Sequence, residues 1–160
     1  VHYKEVEFDG IGTVRVYAPP TRRILSILEK KHPRPAVPIA RETTATGKEI
    51  EMRIEDDPAY LAKVIEWEEL INEEADRMGS LFMFKDLTVP EGWSAEEEVG
   101  AEVHFFDPDW KPEEGDVGRK LDYIQWVVLG PLKNQVRLTD ALRELSGIDL
   151  DEVNANEATF

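Results

Sequence analysis

The periodicity of residues 58–84 constrains the fold of this 160-residue chain more than any other feature. Tyr60, Val64, Trp67, Ile71, Ala75, Met78 and Phe82 recur at steps of four, three, four, four, three and four. That is one stripe of a 3.6-residue helix, and Leu61, Ile65 and Leu70 are expected to widen it. Asp56 or Asp57 can accept hydrogen bonds from the free amides of the first turn, and Pro58 suits the first helical position. At 1.5 Å per residue a helix from Pro58 to Phe84 spans roughly 40 Å, about the width of a small domain. Gly79-Ser80 is where it is expected to bend or end. Periodicity of this kind predicts a core helix and carries no function by itself.

The chain is long enough for one domain with a sizeable core, and four tryptophans and six phenylalanines favour a folded body. There is no cysteine, hence no disulfide framework and no thiolate chemistry. No apolar run approaches the ~20 residues of a membrane span, and the opening residues do not read as a signal peptide. The net charge of −15 is uneven. Residues 1–55 hold 10 Lys/Arg and 8 Asp/Glu, a balance of +2, and residues 56–160 hold 9 and 26, a balance of −17. An acidic body repels phosphate backbones and anionic lipid surfaces. The expected partners therefore include neither nucleic acid nor membrane.

From the N-terminus, Val6 and Phe8, then Val14 and Val16, alternate with polar residues around Asp9-Gly10-Ile11-Gly12, which predicts a β-hairpin over 3–17. Pro19-Pro20-Thr21 starts a short helix over 22–31 with Ile24, Leu25, Ile27 and Leu28 on one face and Arg22, Arg23, Lys30 and Lys31 on another. The proline-rich stretch 32–38 reads as a semi-rigid connector. Residues 39–55, with Ile50, Met52 and Ile54 alternating and Thr46-Gly47 as turn, read as a second hairpin or a mobile loop. After the long helix, residues 86–118 hold 11 acidic residues and one lysine, yet also Trp93, Phe105, Phe106 and Trp110. A disordered acidic tract is short of aromatics, so this one is expected to lie across the helices with those rings as anchors. Ser94-Ala95-Glu96-Glu97 has the form of a capping box. A helix over 119–129 ends at Gly130-Pro131, and another over 132–146 closes at Gly147. Asp149 would cap a last short helix with Leu150, Val153 and Ala158. The fold class is α+β, mainly α: a single domain over 1–160, with a β-rich portion over 1–55 and an acidic helical body with one long central helix over 56–160.

Chemistry is hard to find. His104 stands three residues before Asp107 and five before Asp109, but zinc sites add further His or Cys and none are near. Asp107-x-Asp109 fails as a calcium loop, because Lys111 and Pro112 stand where a ligand and a glycine belong and Gly118 replaces the closing glutamate. None of the four serines lies in a Gly-x-Ser-x-Gly elbow, and no glycine-rich phosphate loop occurs. The expectation is a non-catalytic protein with no metal and no cofactor.

The order of motifs resembles the tail assembly chaperones of long-tailed bacteriophages. The matching parts are the β-rich N-terminus, Pro33-Arg34-Pro35, Asp56-Asp57-Pro58-Ala59-Tyr60-Leu61 followed by Glu66-Trp67-Glu68, Val89-Pro90-Glu91-Gly92-Trp93, Lys120-Leu121-Asp122-Tyr123-Ile124, and Leu145-Ser146-Gly147 leading into an acidic end near Phe160. Their order and spacing carry the resemblance; it is weakest over Val103 to Trp110. It implies a protein that coats the tape-measure protein, helps recruit tail tube subunits and then leaves. The place of action would be the cytoplasm of the infected bacterial host, with none in the mature virion. Self-association is an open alternative. Trp93, Phe105, Phe106 and Trp110, or a face of the last helices, are the expected docking residues for an amphipathic guest helix. Replacing Trp110 with Ala is expected to weaken partner binding with thermal stability nearly intact. The rival identity is a structural tail-completion or head–tail connector protein, which would be found in purified particles.

Overall fold

Strand alternation at the N-terminus produces an antiparallel hairpin of β1 (Tyr3–Phe8) and β2 (Gly12–Tyr17), with Val6 opposite Val14 and Phe8 opposite Gly12. Its turn is closed by Ile11 N–H donating to Phe8 C=O at 3.1 Å, and Gly10 supplies a φ of 78° that a side chain would oppose. The computed structural model describes residues 2–157, with side chains described through Gly147. It is α+β and mainly α, 53% helix against 15% strand, so the two hairpins are minor parts of a helical body. The helices are α1 (Thr21–Lys31), α2 (Pro58–Met83), α3 (Ala95–Glu98), α4 (Gly100–Phe106), α5 (Gly115–Tyr123) and α6 (Leu132–Glu157), and a second hairpin pairs β3 (Ile39–Thr43) with β4 (Glu49–Arg53). A π-turn, Ile124–Val128, follows α5 directly. Among the described residues no helix is long and apolar enough to cross a membrane.

The chain packs as two units. One joins the segment ending at Pro19 to the segment beginning at Gly79; the other is Pro20–Met78. In the first, one face of the β1–β2 hairpin gives Val6, Phe8, Val14 and Val16 to a core completed by Phe84, Tyr123, Ile124, Val128, Leu138 and Ala141. The other face is exposed at Tyr3, Glu5, Glu7, Thr13 and Arg15, with the Arg15 guanidinium 4.8 Å from the centre of the Tyr3 ring, while Tyr17 on the same face is buried. Hairpin and α6 are far apart in sequence, and polar contacts fix their register. Arg137 donates to Glu7 C=O at 2.8 Å, and Lys4 pairs with Glu144.

Position 134 carries a polar residue in the apolar stripe of α6, since Asn134, Leu138, Ala141 and Leu145 follow steps of four, three and four and are all buried. Asn134 is 0% exposed. Its Oδ1 accepts from Asp9 N–H at 2.9 Å, and its Nδ2 donates to Val128 C=O at 2.9 Å and to Asp9 C=O at 3.3 Å. One side chain thus ties the hairpin turn to the end of the π-turn. Asn134→Ala should cost about 2 kcal/mol in urea unfolding, because it strands buried backbone groups. Asn134→Asp should not rescue it, because an ionised carboxylate cannot donate to two carbonyls.

In the second unit, Ile24 and Leu28 of α1 pack with Ile71 of α2, flanked by Leu25, Trp67, Ala75 and Met78. The Trp67 indole N–H donates to His32 C=O at 2.7 Å, and His32 Nε2 lies 3.1 Å from the Glu74 carboxylate. The proline-rich connector is thereby held against α2 at its first residue. Asp57 is the N-cap of α2, accepting from Tyr60 N–H at 2.9 Å.

Three expectations are corrected. Leu61, Ile65 and Leu70 do not widen the buried stripe; all three are exposed. Each stands one position, about 100° of arc, from a buried stripe residue (Tyr60, Val64 and Ile71), so the covered face is narrower than the period allows. Second, α2 does not end at Gly79-Ser80 but runs to Met83. Gly79 is buried, its missing Cβ 3.8 Å from Pro19 Cβ, and packing there outweighs the roughly 1 kcal/mol propensity cost of a helical glycine. Third, Gly147 does not close a helix and Asp149 does not cap a new one, because α6 continues to Glu157. Ala158 and Phe160 lie outside the described residues.

Candidate functional site

The segment after α2 builds an apolar groove within the first unit. Ser94 caps α3, its Oγ accepting from Glu97 N–H at 3.5 Å, and α4 follows almost at once. Val99, just before α4, and Val103 within it line the groove, with Val103 buried, while Phe105 and Phe106 are exposed and Phe106 stands at the groove's edge. Pro108 cannot continue the helix. Asp107 then reverses the chain. Its Oδ1 accepts from Asp109 N–H at 3.1 Å, and its C=O accepts from Trp110 N–H at 3.1 Å. The reversal returns Trp110 against the π-turn, edge-on to Trp126 with ring centres 6.1 Å apart.

The groove so formed has a volume of about 870 Å³ and is walled by Val103, Phe106, Trp110, Trp126, Val127 and Leu129. Glu102 and Asp107 stand at it as acidic groups, with no basic side chain among the lining residues. The π-turn helps place the wall. Leu129 N–H donates to Ile124 C=O at 2.9 Å, five residues back, and the extra residue shifts the phase of the following side chains by about 100° relative to an unbroken helix. Gly130 then passes so close to Trp126 that a Cβ would lie 2.3 Å from its carbonyl oxygen, so no side chain fits there. The Trp126 indole N–H is buried in the groove wall with no protein hydrogen-bond partner among the described residues.

The structure separates the four aromatic residues named from the sequence. Trp93 is partly buried and packs against the core. It packs edge-on to Tyr123 at 5.1 Å, and its C=O accepts from Arg119 Nε at 2.7 Å. Trp110 is half-buried in the groove wall between His104 and Trp126. Phe105 and Phe106 do not anchor the segment across the helices, which corrects that expectation. They are 82% and 79% exposed and meet only edge-to-face with each other among the aromatic pairs, at 5.1 Å. A seven-residue helix can bury one face, and Val103 occupies it. Three of the four residues therefore lie together on the α4 side of the molecule, and Trp93 does not join them.

Sequence reasoning missed Trp126. The signal was present: Leu121, Ile124 and Val128 define the buried stripe of that helix, and Trp126 falls off it. Because Trp110 shares a wall with Trp126, Trp110→Ala should lower stability by about 1–3 kcal/mol as well as weaken any guest. Thermal unfolding of that variant checks the first part.

Titration is perturbed elsewhere in this unit. The hydrogen bond from the Tyr17 hydroxyl to Asp86 raises the Tyr17 pKa above the ordinary tyrosine value, burial raises that of Tyr123, and burial lowers that of Lys120. None of the three lines the groove. His104 Nε2 lies 3.1 Å from the Glu96 carboxylate. Among the described residues no group of three or more His, Asp or Glu side chains comes together to hold a metal ion. Comparison with known proteins finds no matching family model, no matching curated protein and no matching solved structure.

Proposed function

We propose that this chain is a non-catalytic tail assembly chaperone of a long-tailed bacteriophage, which binds the tape-measure protein and keeps it soluble until the tail tube assembles around it. The observation that carries the proposal is a pair of phenylalanines, Phe105 and Phe106, held in the open beside an apolar groove. Large apolar side chains left exposed together beside a groove mark a docking surface more often than chance. A tape-measure protein is a long helix whose apolar stripe has no cover until the tube closes on it, and such a stripe fits a groove of this kind. Glu102 and Asp107 favour a guest with basic residues flanking its apolar positions.

The resemblance in motif order supports the same function, and the acidic charge of the chain keeps a loaded complex soluble. The protein would act in the cytoplasm of the infected cell, hand its guest to tail tube subunits and be absent from purified virions. No catalytic step, cofactor, nucleic acid or membrane enters the proposal. Protein analysis of purified particles tests it against the tail-completion alternative. A stoichiometric band of this chain in mature virions contradicts a chaperone that leaves.

A further inference from the structure

The second hairpin is unusual in what it leaves open. No residue of β3 or β4 is buried, and both strands have a free edge. Two-stranded hairpins are marginal in water; three or more strands with a covered face are stable. Ile50 and Met52, 46% and 44% exposed, share one face of the hairpin with Ala40, which stands opposite Met52.

The hydrogen-bond phase fixes which groups face outward. Ile54 N–H donates to Pro38 C=O at 2.9 Å, and Thr44 N–H donates to Lys48 C=O at 2.8 Å. In an antiparallel ladder bonded and non-bonded pairs alternate, so Ile50 and Met52 bond to β3, and Glu49, Glu51 and Arg53 turn their backbone groups to the open edge. Reversed against itself about Glu51, the strand Glu49-Ile50-Glu51-Met52-Arg53 is self-complementary. Glu49 meets the partner's Arg53, Ile50 meets the partner's Met52, and the three outward-facing residues meet the three outward-facing residues. The one like-charge contact, Glu51 with the partner's Glu51, is offset on each side by Arg41, whose Nη2 lies 3.5 Å from Glu51 Oε1. The β3 edge lacks this property. Reversed about Arg41 it sets Ala40 against the partner's Glu42 and forms no opposite-charge pair.

We propose that β4 pairs antiparallel with β4 of a second copy of this chain, centred on Glu51, to make a four-stranded sheet in a two-fold symmetric dimer. The pairing forms about six backbone hydrogen bonds and joins Ala40, Ile50 and Met52 of both copies into one apolar strip. It stands on the hairpin alone and is independent of the proposed function.

Sedimentation equilibrium of the whole chain over a concentration series tests it. The unaltered protein should approach twice the monomer mass. Glu49→Arg sets arginine against the partner's Arg53 at two symmetric places and should raise the dimer dissociation constant about ten-fold or more. Glu49→Arg combined with Arg53→Glu restores opposite charges and should restore the dimer. Glu51→Pro removes only an outward-facing N–H, so it should abolish the dimer while circular dichroism stays unchanged. A monomer mass throughout the series, an unchanged dissociation constant in Glu49→Arg, or no recovery in the charge swap would each overturn the proposal.

Discussion

Phe84→Ala should lower the unfolding free energy by about 3–5 kcal/mol, a large fraction of the stability of a domain this size. Phe84 lies just past the end of α2, fully buried, with its ring centre 6.0 Å from that of Phe8. Its N–H donates to Ser80 C=O and its C=O accepts from Leu87 N–H, so the backbone is fixed on both sides and cannot slide into the void. The ring is where the end of α2, the β1–β2 hairpin and the π-turn share one core. Removing it leaves a cavity that none of these elements can fill without breaking its own contacts. Urea unfolding followed by tryptophan fluorescence reads the loss. The control lies in α2 itself: Leu61→Ala and Ile65→Ala remove exposed side chains and should change stability by no more than about 0.5 kcal/mol. Equal losses at Phe84 and Ile65 would contradict the assignment of the core.

The second large effect is on binding. Phe105→Ser combined with Phe106→Ser should leave the melting temperature within a degree or two of the parent (roughly the surface-mutation range), because both rings are already in water. The same pair of changes should weaken a docked helix about 100-fold or more, since two phenylalanines covered on binding contribute roughly 1.5–3 kcal/mol each. Fluorescence anisotropy of a labelled tape-measure segment measures it. This pair separates binding from folding better than Trp110 does, because Trp110 also supports Trp126.

Much of the fold was legible because the patterns were local. Alternation of Val6, Phe8, Val14 and Val16 announced the first hairpin, and Asp57 before Pro58 announced the start of α2. At Gly79 packing across a long sequence separation decided the outcome. Gly79 and Gly147 carry a stop signal by propensity, yet α2 and α6 run through them. Leu61, Ile65 and Leu70 flank the helical stripe, but a period does not state how wide the covered face is. The charge break near residue 55 and the packing boundaries at 19/20 and 78/79 do not coincide, because the first hairpin finds its core in α6 and the π-turn.

The candidate site was legible in part. Aromatics within an acidic tract drew attention to Phe105, Phe106 and Trp110, which lie together. Composition could not separate Trp93, which packs against the core, from the other three. Nor did composition single out Trp126, which is marked only by its place off the buried stripe and which the π-turn sets in the groove wall.

The most direct test of the central claim is co-expression of this chain with the tape-measure protein of the same phage, followed by size exclusion with light scattering. The tape-measure protein should become soluble and co-elute with several copies of this chain, and the complex should be lost with the Phe105→Ser and Phe106→Ser pair. A tape-measure protein that precipitates while this chain elutes alone contradicts it.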